Sequence, residues 1–507
     1  MPPPADGSLA PAPPGRADAT IGKIPLSATL VVQYGCGDGA ALSEFRRHNP
    51  AARLVGIDAN PALAQRASAV LDQAFCLSPD LGPLPALPPA DCVLLAPGMV
   101  DATATAAPLL TELGASLAPG GVLVAVLPHG EMQAQHDLIA AAGLHALDAE
   151  QLCLAPGEGP HTHIAWRLTK GPVTPLSVFS TMLPPVGGVS QVRVVEPLVA
   201  LATEPAVLSG ITNQLDTLPD GEGIFVLHRP ALVGPEGLAQ LRALIARGWL
   251  VVCEFDDHPS QIPVLHRSDV WNFRAVHAIQ TTTRALAEVL ASENPEVAVF
   301  PNAVHHLPDA KNFAGPSITL LFAALNREED WPCHVEALNA AAAAAGPALR
   351  FQVIADRAFF DALDTPHKAF TPLCDYSTYL DILAGCEASF MPLRDTLFNR
   401  CKSDLKYLEA ASRRVVALAS PTVYGASIRD GDNGLIFDDP AALLDRLMRL
   451  VNDPAGVRAL AERGRADVAA RRMLAFQTRA RVRWYRDLWA RRNELHQALL
   501  RRVPELG

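Results

Sequence analysis

Residues 399–437 read NRCKSDLKYLEAASRRVVALASPTVYGASIRDGDNGLIF. A polar start, Lys402-Ser403-Asp404, opens a short helix carrying Lys406 and Glu409. The β-branched pair Val415-Val416 begins a strand, and a loop of small residues, Ser420 to Ser427, follows it. Asp430-Gly431 and Asn433-Gly434 turns then lead into another strand. Helix, strand, loop and strand in this order predict an open parallel α/β sheet. In such sheets ligands bind beyond the strand C-terminal ends, where helix N-termini supply free N–H groups. Lys406 and Glu409 stand three apart and share a helix face. One can meet phosphate charge while the other accepts hydrogen bonds from sugar hydroxyls; an ion pair on an amphipathic helix would read the same.

The whole chain has 507 residues, enough for three or four domains with their own cores. About half is apolar and a fifth charged, the composition of a globular protein. A net charge of −11 argues against general nucleic-acid binding. Locally the balance reverses: 458–502 hold thirteen arginines against four acids. The nine cysteines stand singly, without a C-x-x-C pair, which fits reduced thiols in a cytoplasmic protein better than disulfides or a zinc site. No apolar run is long enough to span a membrane. Residues 1–27 are Pro/Ala-rich and are expected to form a disordered tail.

Going back toward the N-terminus, Thr29 to Gln33 predicts a strand, and Tyr34-Gly35-Cys36-Gly37-Asp38-Gly39 a glycine-rich turn into a helix. A second strand, Arg53 to Ile57, ends at Asp58. Glycines let a backbone approach a ligand closely, and an acid about twenty residues on can accept both ribose hydroxyls. Further strands are expected at Asp91 to Leu95 and after the Pro119-Gly120-Gly121 turn. With VVQYGCGDG and GIDANP, this stretch resembles class I S-adenosylmethionine-dependent methyltransferases. The resemblance implies S-adenosylmethionine as cofactor, with Gly35, Gly37 and Gly39 along its methionine part and Asp58 on its ribose. Gln33 stands where that family often has an acid. Ala96-Pro97-Gly98-Met99 replaces the motif of nucleobase amino methylation, and His129 and Glu131 are candidate bases.

A new pattern starts at Leu176, a strand followed by Gly187-Gly188 and a helix containing Arg193. A Gly-Gly turn there brings backbone N–H groups to an anionic ligand. Two later strands end at His228 and at Asp256-Asp257, expected on the same cleft. His228 is a candidate contact for sugar hydroxyls. The acid pair suits acceptor hydrogen bonding or a helix N-cap for Asp257, and no metal is expected there. Ile318 to Ala323 opens the last domain and leads to Arg327; Glu328-Glu329-Asp330 follows in place of a second cation.

In this order the features resemble group-1 glycosyltransferases of the GT-B fold. The likeness rests on Glu409, Arg414-Val415-Val416-Ala417, the small-residue loop, Asp430-Gly431-Asp432-Asn433-Gly434-Leu435, and the linker entry Pro301-Asn302-Ala303-Val304. It departs from the family at Cys401, where a second glutamate is usual. The resemblance implies a methyltransferase-like Rossmann domain at 28–170 followed by a GT-B pair of Rossmann-like domains, the acceptor side at 171–312 and the donor side at 313–480. A basic C-terminal helix, 481–507, is expected to cross back or to touch an anionic membrane surface. The implied activity is metal-independent, retaining sugar transfer from a nucleotide-sugar to a glycan or lipid-linked acceptor, with methylation of the same glycan. Arg327, Lys406, Glu409 and His228 are its expected catalytic groups, and Gly187, Gly188, Asp256, Asp257 and Ser403 its substrate contacts. Two alternatives stay open: a silent methyltransferase domain, or a non-catalytic glycan-binding scaffold.

Overall fold

The computed structural model describes residues 20–77, 87–99, 103–152, 163–183, 188–214, 218, 222–309, 315 and 317–507. The chain divides into two compact units. One comprises Met1–Phe179, Pro197–Ile211 and Ala475–Arg483; the other comprises Ser180–Glu196, Thr212–Leu474 and Trp484–Gly507.

In the first unit, strands β1 (Leu30–Tyr34), β2 (Arg53–Asp58), β3 (Gln73–Cys76), β4 (Ala90–Leu95), β5 (Leu117–Pro128), β6 (His145–Leu152) and β7 (His163–Thr169) form one sheet. Its order is β3-β2-β1-β4-β5-β7-β6. β1 to β5 pair in parallel, and β7 runs antiparallel to both β5 and β6. Every residue of β1 is buried, as a central strand covered on both faces requires. The order reverses direction at β1, so the turn after β1 opens at a switch point where ligands bind. The strands β8 (Leu176–Ser180) and β9 (Val207–Ile211) are neighbours.

The expected disordered tail ends earlier than residue 27. Residues 1–19 lie outside the described residues, but Ile21–Lys23 form a 3-10 turn, and Ile21, Ile24 and Leu26 are buried. The Ser27 amide and hydroxyl both donate to Glu204, at 3.0 and 2.8 Å. Four apolar side chains in IGKIPLSA are enough to anchor a segment whose proline content suggests disorder.

The second unit contains β10 (Gly223–His228), β11 (Trp249–Glu254), β12 (Ala278–Thr281) and β13 (Val297–Val299), a parallel run in the order β13-β12-β11-β10. It also contains β14 (Ile318–Ala323), β15 (Leu349–Ile354), β16 (Lys368–Thr371), β17 (Ala388–Met391), β18 (Val416–Ala419) and β19 (Leu435–Ile436). These are all parallel, in the order β16-β15-β14-β17-β18-β19. That is the doubly wound order, with its switch point at β14. Phe322, Phe351, Phe390 and Leu418 fill the core of this sheet. Register pairs His228 with Glu254, so β10 and β11 end level and release Arg229 and Asp256-Asp257 at one edge.

The basic C-terminal helix expected over 481–507 is not one helix: the segment falls in two, Ala475–Ala490 and Arg492–Arg502. Arg491 leaves helical geometry between them and binds Glu296 and Asp487, each at 2.9 Å. Tyr485 donates to Gln280 at 2.7 Å, and Arg502 donates to the carbonyls of Arg274 and Val276. Arg481 is buried. Several of the arginines expected on a free basic face are therefore occupied inside the fold. No described helix is long and apolar enough to cross a membrane.

Candidate functional site

In the first unit the glycine-rich turn requires its glycines. Gly35, Gly37 and Gly39 have φ of +74°, +59° and +80°, a region that side-chain-bearing residues rarely enter. A Cβ at Gly35 would press on Met99, and one at Gly39 on Val70 and Leu71, whereas one at Gly37 would meet only open space. The backbone at Gly37 is thus bare on one side. Its N–H donates to Asp58 Oδ2 at 2.8 Å, and the Asn60 N–H donates to Asp58 Oδ1 at 2.9 Å. A carboxylate accepts about four hydrogen bonds, so Asp58 keeps capacity for two hydroxyls. Gln33, at the end of β1, is 3% exposed, and its Oε1 has no partner. His129 and Glu131 are exposed just beyond β5.

In the second unit a cavity of about 290 Å³ opens at the C-terminal ends of β14 and β15. Residues from both of its strand runs line it. Gly188, Arg193, Arg229, Asp256 and Asp257 come from the earlier part of the sequence, and Arg327, Lys402, Ser403, Lys406 and Glu409 from the later. Gly187 lies outside the described residues. His228 is close by but does not line the cavity. It is 2% exposed with both ring nitrogens unpartnered, and burial holds its pKa below the ordinary histidine range.

Of the five cations that line the cavity, three come from the later part of the sequence. Arg327 follows Asn326, which is held at φ +56°, and lies 3.6 Å from Asp330. Lys402 Nζ stands 4.0 Å over the Phe398 ring and 3.6 Å from Asp257. Burial, and next the Arg327 charge, hold Lys402 below the usual lysine range. Lys406 Nζ lies 4.1 Å over the Tyr379 ring and 3.9 Å from Glu409. Lys402, at the helix entry, and Lys406, on the helix face, thus line the same cavity as Arg327, which acids follow in sequence.

Glu409, expected to accept from sugar hydroxyls, already accepts from the protein. It is 5% exposed and accepts from Tyr376 and Tyr379, one hydroxyl on each oxygen, both at 2.8 Å. Burial and the Glu409 charge raise the pKa of both tyrosines. Tyr376 also packs on Gly188, where a Cβ would run into its ring. Sequence reasoning missed these tyrosines. Their signal is the Asp375 N-cap with Tyr376 and Tyr379 three apart on one helix face.

It also missed Arg193. This residue lies on a π turn, Gln191–Val195, just after the glycine turn. Its guanidinium bonds Glu254 twice, at 2.9 and 3.1 Å, the Phe300 carbonyl at 2.8 Å and Asn302 Oδ1 at 2.9 Å. The Asn302 amide donates to Ser403 Oγ at 2.8 Å. Ser403, expected as a substrate contact, is thereby fixed from the linker.

Two other expectations are corrected. The residue capping the turn Pro259–Gln261 is His258, not Asp257. Asp257 instead approaches Arg229 and Lys402, each at 3.6 Å, while Arg229 bonds Asp256 at 2.5 Å. The Asp430–Gly434 turn does not line the cavity. It braces the fold: Asn433 donates to the Tyr407 hydroxyl and the Ser427 carbonyl, and Asp430 accepts from the Ile436 amide. Cys401 is buried, and its carbonyl accepts from Thr283 at 3.0 Å. Among the described residues no group of three or more metal-ligating side chains converges.

No family model matches the chain. Over its N-terminal part it is similar to trans-aconitate 2-methyltransferases. It is 31% identical over 120 residues to that of an Azoarcus species, 24% of this chain and 47% of that protein. The Paracidovorax citrulli protein is 32% identical over 118 residues, 23% of this chain and 45% of that protein. The chain thus spans about half the length of these curated relatives. Among solved structures it resembles TarM, with TM-score 0.41, 12% identity and coverage of 54% of this chain and 56% of that one. It also resembles HepE of Anabaena in complex with UDP, with TM-score 0.40, 11% identity and coverage of 61% and 98%. A glycosyltransferase of Rickettsia africae gives TM-score 0.44, 10% identity and coverage of 62% and 99%. What the chain is similar to is therefore a methyltransferase in its N-terminal part and, by structure, glycosyltransferases over more than half its length.

Proposed function

We propose that the second unit transfers a sugar from a nucleotide-sugar to a hydroxyl of a glycan or lipid-linked acceptor. The observation that carries this reading is the convergence of Arg327, Lys402 and Lys406 with Glu409 in one cavity at the strand C-terminal ends. The departing nucleoside diphosphate gains negative charge in the transition state, and fixed cations aimed at it lower the barrier by about 3–4 kcal/mol each. With three side-chain cations in place, the transfer proceeds without a divalent ion. Glu409 orients the donor ribose with the lone pairs that the two tyrosines leave free. Asp257 and Arg229 face the acceptor. His228, kept neutral by burial, bonds a sugar hydroxyl after a small side-chain turn into the cavity. The order of motifs favours retention of configuration at the sugar.

In the first unit we infer S-adenosylmethionine-dependent methyl transfer to the same glycan. The residues fit the cofactor: the bare Gly37 backbone allows close approach, and Asp58 can still accept two hydroxyls. S-adenosylmethionine supplies an electrophilic methyl on sulfur. The chain's own residues bind and orient: the Gly35–Gly39 turn cradles the amino-acid part and Asp58 holds the ribose. His129 or Glu131 takes the proton of the attacking hydroxyl. We assign the three Rossmann-like domains to 28–170, 171–312 and 313–480.

A panel of nucleotide-sugars tests the first activity. Slow hydrolysis of one donor is expected, reduced about 100-fold or more in Arg327→Ala; no turnover of any donor would leave only a binding role. Calorimetry with S-adenosylmethionine tests the second. Binding is expected in the wild type and weakened at least about tenfold in Asp58→Asn. Equal binding by both would remove Asp58 from the cofactor site.

A further inference from the structure

Lys402 lines the cavity beside Asp257 and the Phe398 ring. Its ammonium is 3.6 Å from Asp257 Oδ1, too long for a hydrogen bond and short enough for an ion pair. The Phe398 ring, 4.0 Å away, holds it from below. Arg327 lines the same cavity, and after burial its charge does most to hold the lysine below the usual range. Asp257 is held as loosely. Arg229 is committed to Asp256 at 2.5 Å and reaches Asp257 only at 3.6 Å. The remaining contact of Asp257 is the neighbouring His258 amide, at 3.2 Å. Two cations thus share one carboxylate without either bonding it closely.

We propose that Lys402 changes partner. It pairs with Asp257 while the cavity holds no nucleotide, and it turns to the donor diphosphate when one binds, leaving Asp257 free to accept a hydrogen bond from an acceptor hydroxyl. The proposal rests on the sugar-transfer reading above. A diphosphate carries more charge than one carboxylate and presents several oxygens, so it outcompetes Asp257 for an ammonium that Arg327 already faces. Asp257 is then left with lone pairs pointing into the cavity at the moment the donor is in place. Acceptor binding therefore follows donor binding, and Lys402 sets that order. It also explains why Glu328, Glu329 and Asp330 can follow Arg327: the second cation is Lys402, from another segment lining the same cavity.

Calorimetry with uridine, guanosine and adenosine diphosphates tests this, the tightest being carried through the variants. Asp257→Asn removes the competitor and is expected to tighten diphosphate binding about threefold to tenfold, with no change for the matching nucleoside. Lys402→Met is expected to weaken diphosphate binding about tenfold or more, and Lys402→Arg to restore most of it. In the Lys402→Met background the gain from Asp257→Asn disappears. A gain that persists there, or an equal gain for the nucleoside, overturns the proposal. If no diphosphate binds the wild type, the sugar-transfer reading itself fails. If one binds, weakens in Arg327→Ala and is indifferent to Lys402→Met, that reading stands and the partner change is wrong. Thermal unfolding of each variant confirms that it is folded.

Discussion

Replacing Glu254 by glutamine keeps the volume of the side chain and removes its charge. The carboxylate is fully buried at the end of β11, and the Arg193 side chain that it binds is 2% exposed. Two hydrogen bonds join them, and the remaining donors of the guanidinium go to Phe300 O and Asn302 Oδ1. Among the described residues no other acid pairs with Arg193, so Glu254→Gln strands a cation away from water. Breaking a buried pair on one side costs about 3–5 kcal/mol, which for a unit of this size lowers the melting temperature by roughly 5–8 °C. The double change Arg193→Met with Glu254→Leu removes both charges and is expected to recover most of that loss, since apolar replacements of a buried pair are often neutral or better. Urea unfolding followed by tryptophan fluorescence reports the difference, because Trp249 begins the same strand and is buried. The double variant should still bind nucleoside diphosphate more weakly. It has lost the arginine that orients Asn302, and through Asn302 the Ser403 hydroxyl. The reasoning fails if Glu254→Gln costs less than about 1 kcal/mol, or if the double variant is no more stable than the single one.

Two further outcomes follow from named contacts. His277 accepts from the Val251 amide at 2.9 Å, and burial, with His496 beside it, lowers its pKa to about 3. The folded state therefore holds it neutral while the unfolded chain protonates near pH 6.5, so its stabilisation is complete above that pH and is lost as pH falls from about 6.5 toward 3. A loss of a few kcal/mol by pH 4 is expected, and it should be smaller in His277→Gln, measured as urea midpoints across that range. Tyr376→Phe removes one hydrogen bond to Glu409 while keeping the ring on Gly188. Nucleoside diphosphate affinity should fall roughly threefold to tenfold, and the change should shrink when the 2′-deoxy and 3′-deoxy nucleotides are compared; an equal loss for all of them would separate Tyr376 from ribose recognition.

What the sequence announces is local, and what it hides is carried by contacts between distant segments. The glycine turn before Gly39, the acid at Asp58 and the helix with Lys406 and Glu409 are legible because each is a short pattern with a fixed backbone consequence. The Glu409 environment is not legible. Tyr376 lies 33 positions upstream, and its local pattern, a capped helix with tyrosines three apart, shows a shared face but not that Glu409 is the partner. Arg193 is harder still: it sits in the apolar run Val192-Arg193-Val194-Val195, where a charge reads as an interruption, and its partner Glu254 ends a strand 61 positions away. The Asp430–Gly434 turn misleads in the opposite way, since a motif that resembles a ligand loop spends its side chains on Tyr407, Ser427 and Ile436. Cys401 joins these threads. A glutamate there would put a second carboxylate beside Lys402, where Asp257 already competes for the ammonium. With a buried thiol at 401, the acid in ion-pair range of Lys402 among the described residues is Asp257. On the proposal above, the residue that departs from the resembled family is thus one that leaves Lys402 without a second carboxylate next to it in the chain.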